Sequence, residues 1–188
     1  LLSPTLTFSM TSNLTFTADF VESPFIPAAG AYNGLFYEND EVRLPSSGCF
    51  KLLVTARGQY SGTIQFARSR HSISGKLDLN CRATNIISRA NLPSFKVEIA
   101  LGMNSEVGQV NGRITDGTWS ATLSGARNDF NLLTNPATLA GRYTFTIDGR
   151  GNDPLLPAGD GFGTMRISSN GVALFAGTLA DGTRMTRS

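Results

Sequence analysis

Apolar and polar residues alternate one for one along most of this chain. In "QYSGTIQF" Tyr60, Gly62, Ile64 and Phe66 share one face, and Gln59, Ser61, Thr63 and Gln65 share the other. "RHSISGKLDL" sets His71, Ile73, Gly75, Leu77 and Leu79 against Arg70, Ser72, Ser74, Lys76 and Asp78. The same period runs through "FKVEIAL" (95–101), "TWSATL" (118–123) and "RYTFTI" (142–147). One buried face and one wet face, strand after strand, predict an antiparallel sheet. Turn chemistry agrees, because Asp116-Gly117 and Asp181-Gly182 sit between alternating runs as hairpin signals. "CRATNIISRANL" (81–92) comes nearest to a helical period and is expected to hold one or two helical turns at most, or an irregular connection.

A second figure, apolar-x-Gly-x-apolar, recurs in "YSGTI" (60–64), "ISGKL" (73–77), "VNGRI" (110–114) and "FAGTL" (175–179). A glycine on the inward face removes a side chain where the wall bends, or where an aromatic from the next strand lies across the backbone. Repeated, this predicts an all-β fold with little helix, an antiparallel β-barrel of about 8–10 strands. A β-sandwich with glycines at bulges is the alternative. The chain also echoes itself. "GAYNGLF" (30–36) returns as "GRYTFTI" (141–147), each followed by an acidic, Pro-containing loop, a strand, a turn glycine (Gly58, Gly171) and the glycine figure. Gly-x-apolar-x-Asp-Gly-Thr runs over 112–118 and again over 177–183; the first copy leads into a strand, the second reaches Ser188. The expectation is a piece of a longer polypeptide. Residues 1–25 read as the terminal hairpin of an upstream module plus a Pro-rich linker, and 26–188 as one glycine-rich β domain with an internal repeat.

Composition narrows the function. At 188 residues, 40% hydrophobic and 16% charged, the chain can bury a sizeable core. A net charge of +2 gives no reason to expect nucleic acid. No apolar run approaches the roughly 20 residues of a membrane span, so no membrane insertion is expected. "LLSPTLTFSM" lacks the basic start of a signal peptide, which would have to lie upstream. Cys49 and Cys81 permit one disulfide closing a loop of about 30 residues, contributing roughly 3–4 kcal/mol; two independent buried thiols are the other reading, and export would favour the bond.

Candidate chemistry is thin. His71 is the only histidine and falls on the apolar side, so it is expected to be a satisfied core or rim residue rather than a metal ligand. Ser61 lies on the wet face of a strand with no nucleophile-elbow context. Carboxylates gather in two loops, Glu38, Asp40 and Glu41 in 37–48, and Asp148, Asn152, Asp153 and Asp160 in 148–161. Such loops suit calcium or a ligand, although neither follows a known calcium-loop spacing. Tyr37 is the aromatic best placed to stack on a sugar. "ARSRH" (67–71) is a small basic patch at a hairpin tip. No catalytic constellation emerges, and an enzyme is not expected.

Two resemblances add to this. Phe8, Met10, Asn13, Thr15, Thr17, Ala18 and Phe20 form a pattern that resembles the C-terminal hairpin of the divergent internalin B-type repeat of bacterial surface proteins. Residues 30–188, through "YNGLF", "LAGRYTFTI" and "GTLADGT", resemble the glycine-rich β domain of large secreted bacterial proteins. The hairpins are also similar to lipoprotein barrels of the transferrin-binding type, without a matching transferrin-contact loop. The resemblances imply a bacterial, extracellular or cell-surface, multidomain protein. The expected role is a structural or adhesive module whose partners are neighbouring domains of the same chain and copies of itself. A carbohydrate-binding module using loops 37–48 and 148–161, with glycans as partners, is the alternative.

Overall fold

The structure is a computed structural model and describes residues 21–66, 69–149 and 159–187, with single positions 7, 9, 13, 15 and 17 before them. The hairpin expected at about 6–20 lies largely outside the described residues, as do Asn152 and Asp153.

Eight strands follow one another, each paired with the next except β4 with β5: β1 (Gly30–Tyr37), β2 (Gly48–Val54), β3 (Gln59–Phe66), β4 (Arg70–Lys76), β5 (Arg82–Arg89), β6 (Leu92–Leu101), β7 (Gln109–Thr115) and β8 (Ser120–Arg127). Their order in the sheet is β4-β3-β2-β1-β8-β7-β6-β5, all antiparallel. The first strand is therefore laddered to the eighth, and the sheet curls until β4 stands beside β5 in a nearly closed barrel. The seam runs between β4 and β5. Its foot is pinned where the Asp78 amide donates to the Arg82 carbonyl (2.9 Å). Higher up, the Tyr60 hydroxyl accepts the Asn85 side-chain amide across the gap.

A second sheet holds β9 (Gly141–Ile147), β10 (Gly161–Ile167), β11 (Ala173–Thr178) and β12 (Arg184–Arg187), in the order β12-β11-β10-β9. This meander repeats β1–β4 strand for strand. The expected 26–188 unit thus contains an eight-stranded barrel and a four-stranded sheet.

The barrel is filled by its own side chains. Tyr32, Phe36, Leu52, Ile64, Val97, Val110, Ile114 and Leu123 are all buried inside. One end is closed by aromatics. Phe66 stacks on Phe95 with centroids 4.5 Å apart, Phe36 meets Phe66 edge-on at 4.8 Å, and Trp119 leans on both. The Arg89 guanidinium lies 3.7 Å above the Phe95 ring and pairs with Asp116 at 3.0 Å. The other end is closed by a single helical turn, α1 (Phe25–Ala28), from the segment expected to be a linker. Its Phe25 ring covers the positive-φ Gly58, and the Tyr32 hydroxyl donates to the Ala28 carbonyl at 2.8 Å.

Residues 82–89, expected to be helical or irregular, are strand β5. Ala83, Asn85, Ile87 and Arg89 turn partly inward while Arg82, Thr84, Ile86 and Ser88 face solvent. β-Branched Thr84, Ile86 and Ile87 favour the extended form, and the ladder to β6 supplies the partners a lone turn of helix would lack.

The recurring glycines answer to close approach. Gly62 and Gly112 sit inward between buried apolar neighbours, and Gly75 lies under the Tyr60 ring. Gly34 stands directly opposite Gly125 across the β1–β8 ladder. A Cβ on Gly125 would stand 2.5 Å from the Asn33 carbonyl oxygen and 2.8 Å from Phe50 Cζ. The second sheet repeats the device, with Gly163 opposite Gly177 and the Phe145 ring over Gly163.

Two predictions follow from this packing. Gly125→Ala should cost about 2–3 kcal/mol in urea unfolding through overpacking. Gly117→Ala, with nothing within 4 Å but φ at +93°, should cost only about 1 kcal/mol of backbone strain. The second concerns Asp116. Burial alone would raise its carboxyl, but the donors on Thr118 and Arg89 outweigh burial and hold it below the usual carboxylate range. A depressed folded pKa stabilises above the unfolded pKa, near 4, and that stability is lost as pH falls through the folded value. Thermal melts of wild type and Asp116→Asn should therefore differ most at pH 6 and converge as the pH drops below about 3.

Candidate functional site

The barrel interior is filled by its own buried side chains. A cleft of about 1130 Å³ lies between the outside of the β2–β4 wall and the second sheet. The wall contributes outward positions in register: Cys49 opposite Gln65, Lys51 opposite Thr63, and Gln65 opposite Arg70. The second sheet contributes Arg142 from β9 and Arg166 from β10, which are direct cross-strand partners on one face. Like charges directly opposite one another in an antiparallel pair destabilise it.

The cleft gathers several cations around one space. Elsewhere Arg43 pairs with Glu38, Asp40 and Glu41, Arg89 with Asp116, Lys96 and Arg113 with Glu98, and Arg127 with Asp129. Lys96 and Arg113 hold the Glu98 carboxyl below its ordinary value. In the cleft, Lys51, Arg70, Arg142 and Arg166 face no carboxylate among the described residues that line it.

The residues expected to matter are placed as follows. Glu38 and Asp40 do not open toward a cation, because Arg43 reaches Glu38 at 2.9 Å, Asp40 at 3.2 Å and Glu41 at 3.0 Å. The buried Glu38 also accepts the Ser46 hydroxyl. In the counterpart loop, Asp160 accepts the Gly149 amide at 2.9 Å and Asp148 is exposed. Among the described residues no group of three or more His, Cys, Asp or Glu side chains gathers as a metal site would require. Tyr37 is 45% exposed on the outside of β1. His71 sits at the barrel rim, edge-on to Phe66 and Phe95, with Nε2 3.1 Å from the Ser69 hydroxyl.

No disulfide joins Cys49 to Cys81. Cys49 is half-buried on the outside of β2, toward the aromatic end of the barrel. Cys81 is buried at the other end, where its thiol lies 3.6 Å from the Pro24 carbonyl. The length of β2 separates them, about 15 Å at strand rise, whereas a disulfide needs Cα atoms within about 7 Å. Burial pushes the Cys81 thiol up.

Sequence reading missed Arg142 and Arg166. Both lie on the polar side of alternating runs, where charges are expected, and their opposition appears only once the β9–β10 register is known. Comparison with protein-family models, with curated proteins and with solved structures finds no match.

The thiols can be checked directly. Intact mass under non-reducing conditions should show both hydrogens retained. Iodoacetamide on the native protein should label Cys49 alone, with Cys81 reacting only in denaturant.

Proposed function

We propose that the chain is a non-catalytic structural or adhesive β module of a large secreted or cell-surface bacterial protein, and that it assembles through its second sheet. The observation that carries this reading is the difference between two equivalent meanders. β1–β4 is covered on its apolar face by β5–β8 and laddered to it at β1–β8. β9–β12 has the same strand order without an equivalent cover among the described residues. Tyr143 and Ile147, on the face opposite the Arg142–Arg166 row and shared with Phe145, are each 39% exposed. β9 and β12 are both edge strands among the described ones, and such edges are templates for strand addition.

The occupant is the β9–β12 sheet of a second copy. It carries the same length, register and glycine spacing, and a two-fold axis would set two four-stranded meanders together as the barrel sets β1–β4 against β5–β8. A filled barrel interior also supports a binding or building role over chemistry inside the barrel.

Light scattering on the purified 188-residue chain should show a dimer that dissociates on dilution, and Phe145→Asp should give a monomer whose barrel melts unchanged. A 20.0 kDa monomer at every concentration would overturn the assembly.

A further inference from the structure

We propose that the cleft between the β2–β4 wall and the second sheet binds an acidic saccharide chain. Four cations line it: Lys51 and Arg70 from the wall, Arg142 and Arg166 from the second sheet. None has a carboxylate partner among the described residues; Arg57, Lys76, Arg82 and Arg184 outside the cleft share that condition, but here four such cations are gathered around one space. The facing arginines of β9 and β10 cost stability as they stand. An anion laid between them removes that cost, and guanidinium groups suit carboxylate or sulfate because they bind in a two-pronged, planar way.

The rest of the lining mixes apolar and aromatic residues, among them Phe50, Tyr143, Met165, Leu174 and Phe175, with hydroxyl-bearing ones, a combination that suits the ring faces and hydroxyls of a sugar chain. Thr63, Gln65, Thr144 and Thr164 contribute hydroxyls and an amide that exchange hydrogen bonds with sugar hydroxyls. A net charge of +2 is far below the broad basic surface that a nucleic acid selects. At about 1130 Å³ the cleft is large enough for several sugar rings. The cleft lies within one copy, so this inference stands apart from assembly, and it moves glycan recognition away from the 37–48 loop, whose carboxylates are taken up by Arg43.

The test is calorimetry on the full 188-residue protein with four probes: an oligogalacturonate, a sulfated heparin-type oligosaccharide, a neutral cello-oligosaccharide and a single-stranded oligonucleotide of matched charge. Binding of either acidic saccharide, weakened by added salt, is expected, and the stronger of the two separates carboxylate from sulfate recognition. Arg142→Gln with Arg166→Gln should weaken it by about tenfold or more without lowering the melting temperature, since the change removes a like-charge pair and neither arginine has a carboxylate partner among the described residues. Arg57→Gln with Arg82→Gln, the same loss of charge outside the cleft, should leave affinity unchanged. The proposal is overturned if neither acidic saccharide binds, if the neutral chain or the oligonucleotide binds as tightly, or if the control pair loses as much as the cleft pair.

Discussion

The ladder between β1 and β8 is the constraint on which the rest depends. Without it, the sequential pairings would leave two separate four-stranded meanders, β1–β4 and β5–β8, each with two raw edges. Pairing the first strand with the last turns two four-stranded meanders into one wall and brings β4 round to β5. The ladder tolerates that curvature because Gly34 and Gly125 face each other at its centre with the Phe50 ring over them. A side chain at either position would collide with backbone. The enclosed volume is then small enough for one layer of Tyr, Phe, Ile, Val and Leu to fill, and the ends need only one helical turn and one aromatic stack.

Much of this architecture was legible in the chain. Alternation marked the strands, the Asp-Gly pairs marked hairpins, and the glycine rows marked curvature, so an all-β barrel within the expected strand count follows from local chemistry. What was not legible depended on partners distant in sequence. Adjacent Ile86 and Ile87 blur the alternation of β5, and only the ladder to β6 decides its form. Phe25 is hidden among prolines that read as a linker, yet it closes one end of the barrel. The seam depends on which strands fail to pair, which no single strand announces.

The site was the least legible part, for a related reason. Loop carboxylates attract attention in a sequence because calcium sites are built from them. In the fold one arginine, Arg43, draws three of them inward and spends their charge locally. The cations of the cleft attract no attention, since each is an ordinary polar-face residue until register and sheet packing collect them. Pairing, more than composition, separates a charge that stabilises the fold from one left over for a ligand.

The way the chain joins the barrel has a mechanical consequence. It arrives through α1 and leaves after β8 at the same end, where the Asn128 amide donates to the Ala31 carbonyl at 2.7 Å and the Arg127 guanidinium holds the Pro27 and Ala29 carbonyls at 2.5 and 3.2 Å. Under tension applied where the chain enters and leaves it, the barrel hangs to one side as a pendant and adds width without adding reach. The load falls first on the Arg127 clasp and then opens β1 from β8 one hydrogen bond at a time, as a zipper does. Loading the bonds in sequence rather than in parallel makes the ladder weakest along this one direction of pull.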